Sequence, residues 1–201
     1  MAQLVALVHP IPSARRKDPV VAVDLGFSTS AASCGVAAPA APGGLNHHFG
    51  RAVTAASNGL TGARQGVLIL EAPLSARFGS TGRPCSRGTF EDAPPGAPQS
   101  TRYWSEAPGV GVAYAAVFFL RKLLDALSTD SVDIELVEGF VSRGAVGGAH
   151  SHVAATLRSA FLAGAFTAHS VPTSGSGETI SVLDLLLPST APHPPPAIIE
   201  P

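Results

Sequence analysis

Three apolar segments of the chain, each predicted to be a buried strand, end in a carboxylate. These residues are Asp24 in VAVDLG, Glu71 in LILEAP and Glu138 in ELVEGF. If the strands run parallel, their carboxyl ends meet at one edge of the sheet, where ligands usually bind. Three acids held together would repel each other unless a cation lay between them. Oxygen ligands of this kind suit Mg²⁺ or Mn²⁺, so the spacing suggests a metal site.

A carboxylate at the end of a strand has simpler explanations when it stands alone. Asp and Glu often form turns there or cap the helix that follows. Three acids at three strand ends are harder to explain as separate turns, yet the residues leave both interpretations open. If the acids share one site, a pair of metal ions would suit phosphodiester hydrolysis, because two metals stabilise both the attacking and the leaving oxygen.

Two histidines, His150 and His152, stand at the predicted start of a helix. Histidine suits a metal ligand or a general base, because a free imidazole titrates near neutral pH. Either residue is therefore a candidate to complete a site near Glu138. Capping of the helix or simple surface exposure is the alternative that the residues leave open.

The composition is that of a folded chain of ordinary domain size. Of 201 residues, 45% are apolar and 13% are charged, which excludes a disordered, highly charged sequence. The net charge of −1 gives no overall field that would attract nucleic acid. Any surface for nucleic acid would therefore have to be local.

Arginines are concentrated in residues 74–109, a segment without regular periodicity. A long irregular segment inside a domain is usually functional or disordered. Arg83, Arg87 and Arg102 would suit contacts with substrate phosphates, and the aromatic residues that follow Arg102 would suit stacking on a base. The alternative is that Trp104 anchors the segment and the arginines only face solvent.

Hydrophobic periodicity predicts the mixture of strands and helices that is typical of an α/β fold. Strands are predicted at 20–26, 30–38, 46–49, 66–73 and 133–138, and helices at 50–61, 110–127 and 151–165. Helix 110–127 has the clearest pattern, with apolar residues repeating at helical spacing along one face. Residues 39–45 are predicted to be a loop, Ser151 a helix cap, and 179–187 a strand or short helix.

These elements predict a single domain over residues 20–187, in which a mixed sheet is flanked by helices. Residues 20–38 would form an antiparallel hairpin, and the two later strands would extend the sheet in parallel. Residues 1–19 are expected to be an N-terminal extension, and the proline-rich residues 188–201 a tail.

The two cysteines, Cys34 and Cys85, are too few for a disulfide framework. Cys34 lies in a predicted strand and is expected in the core, while a bridge to Cys85 stays open. No segment offers about 18 uninterrupted apolar residues, so we expect a cytoplasmic chain without a membrane partner. The exposed face of helix 110–127 is also apolar enough to suit contact with a second copy in a homodimer.

The order of the predicted elements is that of the ribonuclease-H-like fold: three strands, helix, strand, helix, strand and helix. Within that order, VAVDLGFSTSAASCGVA resembles the first hairpin of the RuvC and YqgF resolvase-like nucleases. LILEAPLS, GRPCSR, VEGFVSRG and AHSHVAATLRSAF are similar to segments of a family of predicted nucleases with this fold. The resemblance covers residues 20–165 and implies a ribonuclease-H-like mixed sheet.

The resemblance also implies an enzyme that uses Mg²⁺ or Mn²⁺ to hydrolyse phosphodiester bonds in nucleic acid. Carried over by position, Asp24 would bridge two metal ions, and Glu71 and Glu138 would be further ligands. A metal-bound water would be the nucleophile. The family has an Asp near the start of its last helix, and this chain has no acid there. His150 or His152 would therefore have to complete the site.

The missing acid leaves a second hypothesis open, a catalytically inactive relative that keeps the fold and binds without cutting. A third follows from DLGFST, residues 24–29, which also resembles the phosphate-binding turn of actin-like ATPases and sugar kinases. In that turn the hydroxyl of Ser28 would contact phosphate, although those proteins use two such domains. The sequence patterns of P-loop NTPases and of GxSxG hydrolases are absent.

Overall fold

A mixed sheet flanked by helices forms the centre of this α/β protein. The computed structural model describes residues 2–8, 18–26, 31–91, 107–141, 149–173, 177–187 and 189–201. The strands are β1 (Gln3–Ala6), β2 (Val20–Asp24), β3 (Cys34–Ala38), β4 (Ala41–His47), β5 (Gln65–Glu71), β6 (Ser75–Gly79), β7 (Asp133–Gly139), β8 (Thr167–His169), β9 (Gly177–Ser181) and β10 (Ile198–Glu200). The helices are α1 (Phe49–Leu60), α2 (Ala107–Ala126), α3 (His150–Ala163) and α4 (Val182–Leu186).

The main sheet has the strand order β4-β3-β2-β5-β7-β10-β8, and β1 also pairs with β7. Strands β2, β5 and β7 run parallel, and β3 runs antiparallel to both of its neighbours. Parallel strands covered on both faces need near-continuous apolar sequence, which VVAVD in β2 and GVLIL in β5 supply. A separate two-stranded antiparallel sheet is formed by β6 and β9.

Helices cover both faces of the main sheet, and alternate strand residues supply the two cores. In β5, Leu68 and Leu70 pack in the core that includes residues of α1 and α2. Val67 and Ile69 face the other way and pack in the core that includes residues of α3. This alternation with a period of two decides which face each residue at a strand end occupies.

Most predicted elements are present with small shifts at their ends, but residues 39–45 are not simply a loop. After a turn at residues 39 and 40, Ala41–His47 forms β4. Proline and two glycines in this stretch suggested a loop, because these residues are rare inside sheets. They are tolerated here because β4 is an edge strand, where an unpaired backbone position is exposed to solvent.

Both ends of the chain contribute strands to the main sheet. Residues 3–6, in the expected extension, pair with the first half of β7, and residues 198–200, in the expected tail, pair near its end. The backbone N–H of Ala197 donates to the carbonyl of Leu7 at 2.9 Å, which joins the two segments. Ile198 and Ile199 are fully buried, so the apolar residues after the prolines belong to the core.

Two further expectations can be compared with the described residues. Cys34 is buried, as predicted, and Cys34 and Cys85 are both free thiols. Within the described ranges, no helix combines the length and apolar character that crossing a membrane requires.

Candidate functional site

The carboxyl ends of β2 and β5 bring Asp24 and Glu71 to the same level of the sheet. The two residues are direct partners in the parallel register, and adjacent strands lie about 4.8 Å apart. Val20 and Ala22 of β2 pack on the α3 side, so the alternation of side chains places Asp24 on that side as well. The same argument from the alternation in β5 places Glu71 there.

Asp24 forms a hydrogen bond with the first residue of α3. Its Oδ2 lies 2.9 Å from Nδ1 of His150. An ionised carboxylate can only accept, so Nδ1 carries the proton in this pair, and Nε2 is left with a lone pair when the ring is neutral. The Asp24 side chain is 7% exposed, whereas that of His150 is 41% exposed. The pair therefore joins a buried carboxylate to an imidazole that solvent can reach.

His150 compensates only part of the cost of burying the charge of Asp24. Burial raises the pKa of Asp24, and the charge and hydrogen bond of His150 lower that pKa by less than burial raises it. The ionised form is therefore held at a cost in free energy. A cation close to Asp24 would offset part of that cost.

Gly26, which follows β2 by two residues, is in close contact with the His150 ring. A Cβ built on Gly26 would lie 2.9 Å from both Cε1 and Nε2 of the imidazole, and 2.1 Å from the carbonyl oxygen of Ser33. Any side chain at this position would displace the ring. The glycine that follows the strand-end acid is therefore required for His150 to reach Asp24.

Glu138 does not join Asp24, which corrects the expectation of a three-acid cluster. In the register of β5 and β7, Glu138 is the partner of Leu70, and Gly139 is the partner of Glu71. Because side chains alternate between faces, this offset of one residue turns Glu138 away from α3. Its Oε2 accepts from the backbone N–H of Leu74 at 2.7 Å on the opposite side of the sheet.

The end of β7 offers no side chain on the α3 side at the level of the two acids. Gly139 occupies that position, and a Cβ there would lie 2.7 Å from Cδ1 of Leu157 and 3.1 Å from Cγ2 of Ile69. The close packing of α3 on the sheet therefore leaves no room for a third acid.

Glu138 instead belongs to a buried ionic cluster with Arg87 and Glu91. Nη1 of Arg87 lies 2.8 Å from Oε2 of Glu138, and Nε lies 2.7 Å from Oε1 of Glu91. Arg87 Nη1 also donates to the carbonyl oxygen of Ser75 at 3.1 Å. These bonds join the segment around Arg87 to the start of β6 and to the carboxyl end of β7.

The pKa values in this cluster follow from burial and from the sharing of one cation by two acids. Burial raises the pKa of Glu138, and the contacts with Arg87 and with the backbone of Leu74 only partly counter this effect. Burial alone would lower the pKa of Arg87, but Glu138 and Glu91 more than offset it and raise that pKa. Arg87 is only 2% exposed, so the expectation that it contacts substrate phosphates is corrected.

The remaining predicted site residues have separate locations. Arg83 is exposed, and Ser28 and Arg102 lie outside the described residues. His152 is exposed two positions after His150, which is about 200° around the helix, so the two rings point in different directions. Of the two histidines, His150 is the one at the strand ends, and its partner is Asp24 rather than Glu138.

The side chains at this edge of the sheet could hold a metal ion only with fewer protein ligands than the sequence predicts. Within the part of the chain that the structure describes, no three His, Cys, Asp or Glu side chains are grouped closely enough to hold an ion. Mg²⁺, however, is often held by one or two carboxylates while water and substrate phosphate fill the other positions. Asp24 and Glu71, level with each other on adjacent strands, are compatible with such a site.

The functional residues that sequence reasoning missed are those that seat α3. Ser151 is not the helix cap: the cap is Ala149, whose side chain makes no capping hydrogen bond. The N–H of Ser151 is bonded instead to the side chain of Asn46, from β4. The sequence signal for this contact is the Gly43–Gly44 pair shortly before Asn46, inside the stretch predicted to be a loop.

The exposed side of α2 is apolar over its first half, and charged residues are exposed in its second half. Val110, Tyr114 and Phe118 follow one another at a spacing of four residues and are 41%, 70% and 50% exposed. The homodimer that this face was expected to support stays a prediction.

Comparison with known proteins does not place this chain in a family. No family model, no curated protein and no solved structure matches it. Its class is therefore defined by its own geometry, as an α/β protein with an acid–histidine pair at the carboxyl ends of parallel strands. Any function must be argued from that pair and its surroundings.

Proposed function

We propose that this chain is a nuclease that depends on a divalent metal and hydrolyses phosphodiester bonds at the carboxyl ends of β2 and β5. The observation that carries the proposal is the contact between buried Asp24 and half-exposed His150. A carboxylate bonded to one imidazole nitrogen orients the ring and leaves the other nitrogen available for proton transfer or metal binding.

The arrangement of the sheet supports a ribonuclease-H-like domain as the scaffold. Strands β4, β3, β2, β5 and β7 are consecutive neighbours, with β3 antiparallel beside the parallel set β2, β5 and β7. This is the hairpin extended by parallel strands that the sequence resemblance implies. Asp24 lies at the end of the first strand of that hairpin, where the resemblance expects the principal acid.

The two acids on the α3 side support the metal dependence. A divalent ion bound there would act as a Lewis acid, polarising a phosphate oxygen and lowering the pKa of a bound water. Asp24 and Glu71 would hold it, since each has carboxylate oxygens on the same side of adjacent strands. The raised pKa of Asp24 indicates a carboxylate whose burial a cation would compensate.

His150 would move the proton. With Nδ1 bonded to Asp24, Nε2 is the remaining ring nitrogen, on a side chain that is 41% exposed to solvent. A base in this position would accept a proton from the attacking water or return one to the leaving oxygen. General acid–base catalysis of this kind typically contributes about 10²–10⁴-fold to a rate.

A second candidate function is binding without cleavage, and one observation favours it. Glu138, which the resemblance assigns to the metal site, is held instead by Arg87 and the backbone of Leu74. A chain that had lost an active nuclease site would keep the scaffold with its acids engaged in structural contacts. Such a chain would bind nucleic acid and would cleave neither DNA nor RNA.

Calorimetry with Mn²⁺ and a cleavage assay would separate the two candidates. The wild type, Asp24→Asn and Asp125→Asn would be titrated, the last as a control because Asp125 is exposed on α2. Each would also be incubated with single-stranded and duplex DNA, RNA and a hybrid duplex. We expect Mn²⁺ binding and cleavage in the wild type and the control, and neither in Asp24→Asn.

A wild type that binds no Mn²⁺ and cleaves none of these substrates would contradict the nuclease proposal. Retention of nucleic-acid binding in that case would support the inactive candidate.

A further inference from the structure

Four residues form a row across four strands at the level of the candidate site. Glu71 pairs with Asp24, Asp24 pairs with Gly35, and Gly35 pairs with Asn46. Residues paired in this way present their side chains on the same face of a sheet. Asp24 and Asn46 therefore face α3 from either side of a residue that has no side chain.

The first turn of α3 lies in the gap above Gly35. A Cβ on Gly35 would lie 2.0 Å from the carbonyl oxygen of His150 and 2.5 Å from the backbone nitrogen of Ser151. Gly44 in β4 has a φ of +73°, and its Cβ would lie 2.2 Å from the carbonyl oxygen of Ser151. Contacts this short are not possible for a real side chain, so the helix start rests directly on the backbone of β3 and β4.

Asn46, in β4, holds this turn by accepting a hydrogen bond that the cap residue of a helix usually accepts. The first N–H groups of a helix have no partner within the helix, and an Asn, Asp, Ser or Thr at the cap usually accepts from one of them. Ala149, at the cap of α3, cannot do so. Oδ1 of Asn46 accepts from the N–H of Ser151 at 2.8 Å instead.

The two hydrogen bonds act on consecutive residues of the same turn. Asp24 holds the His150 ring and Asn46 holds the backbone of Ser151. Loss of the Asn46 bond would free the start of α3 to shift relative to Gly35 and Gly44, on whose backbone it packs. The ring would then no longer be held in one orientation against Asp24.

We propose that Asn46 is a positioning residue for His150: it holds the start of α3 so that Nδ1 of His150 stays bonded to Asp24. The catalytic consequence rests on the proposed function, whereas the structural one does not. A misplacement of about 1 Å at a reacting group can cost up to about 10²-fold in rate. Since Asn46 acts through a single bond at an exposed turn, we expect about a tenfold loss of kcat in Asn46→Ala, with little change in KM.

The experiment compares Asn46→Ala and Asn46→Asp with Asn58→Ala, a control at an exposed position of α1. The ¹⁵N NMR signals of the His150 ring report whether Nδ1 keeps its proton and bond, and amide hydrogen exchange at Ser151 reports the cap. In Asn46→Ala we expect faster exchange at Ser151 and altered His150 ring signals. Asn46→Asp keeps an acceptor oxygen and should restore both, and Asn58→Ala should match the wild type.

A second pair of variants tests the packing of the first turn of α3 on the backbone of β4, and leaves every hydrogen-bonding side chain unchanged. Gly44→Ala should disturb the same His150 signals, whereas Gly43→Ala should not, because a Cβ on Gly43 meets nothing within 4 Å. Unchanged ring signals in Asn46→Ala would overturn the proposal. Changed ring signals with an unchanged kcat would uphold the positioning of the ring and contradict its catalytic consequence. Changed ring signals in a chain whose wild type cleaves nothing would uphold the positioning and refute the proposed function instead.

Discussion

The acids at the ends of β2 and β7 lie on opposite faces of the sheet and have different surroundings. Asp24 faces α3 and contacts His150, whose side chain solvent can reach. Glu138 faces the other side and contacts Arg87, which is buried with it. Both acids follow apolar strand residues in the same parallel set, so what separates them is one residue of register.

This difference indicates a division of roles between the faces. In the Arg87 cluster, Arg87 forms ion pairs with both Glu138 and Glu91, the backbone N–H of Leu74 donates to Glu138, and the carbonyl of Ser75 accepts from Arg87. A buried ionic network of this kind fixes one arrangement of the chain. Asp24, by contrast, forms a hydrogen bond with His150, whose side chain is 41% exposed to solvent.

The largest effect that would sharpen the comparison is the loss of Arg87. Arg87→Ala leaves Glu138 and Glu91 buried without a cation, and removal of one partner of a buried pair typically costs about 3–5 kcal/mol. We expect a loss of that size in the free energy of unfolding, measured by urea denaturation. Arg83→Ala, four residues earlier and exposed, should stay within about 0.5 kcal/mol of the wild type.

If Arg87→Ala kept its stability but weakened nucleic-acid binding, the comparison would fail. Arg87 would then act on phosphate, as its sequence context first suggested, rather than on the fold.

Replacement of Asp24 is expected to raise the free energy of unfolding, by less than replacement of Arg87 lowers it. Burial raises the pKa of Asp24 above 3.8, so the folded state holds more protons than the unfolded state between those two values. The free energy of unfolding therefore falls as the pH rises through the raised pKa. Asp24→Asn removes that loss and should be more stable than the wild type at pH 7, with the difference shrinking towards pH 3.

Denaturation of both proteins across this pH range measures the difference directly. Asp125→Asn, at an exposed position, should follow the wild type within about 0.5 kcal/mol. A destabilised Asp24→Asn at pH 7 would mean that Asp24 is a structural residue, like Glu138, and would remove the contrast between the faces.

The smallest predicted effect uses the two cysteines, one in each region. Cys34 is buried beside the candidate site and donates to the carbonyl of Gly26 at 3.6 Å, and burial raises its thiol pKa. Cys85 lies in the Arg87 segment and is half-buried. Because the thiolate is the reactive form, a thiol reagent should label Cys85 well before Cys34. Mass spectrometry of timed samples would show the order, and denaturant should abolish it.

Equal labelling rates in the native protein would contradict the burial of the site region. Faster labelling of Cys34 would mean that the backbone around Gly26 opens readily.

The sequence was sufficient to predict the strands that carry the site. Continuous apolar runs ending in Asp24 and Glu71 favour buried strands, as does the more polar segment DIELV before Glu138, and those strands are present. The helical spacing in residues 110–127 likewise predicted α2 to within a few residues of its ends. Patterns of this kind depend on local periodicity, which the sequence contains directly.

The grouping of side chains could not be predicted to the same degree, because it depends on register. Counting from the start of each strand does not reveal that Gly139, rather than Glu138, is level with Glu71. Nor does any local signal show that Arg87 reaches Glu138 across 51 residues of sequence. The contact of His150 with Asp24 depends on three strands and a helix meeting at glycines, which no single segment encodes.

The central claim is that the Asp24–His150 pair performs phosphodiester hydrolysis, and a matched pair of histidine variants tests it most directly. The measurement is the initial rate of cleavage of the nucleic-acid panel with Mn²⁺, for the wild type, His150→Gln and His152→Gln. We predict that His150→Gln loses about 10²–10⁴-fold in rate, the usual size for a lost acid–base group, and that His152→Gln keeps the wild-type rate. Equal rates for the two variants, at or near the wild-type value, would contradict the claim.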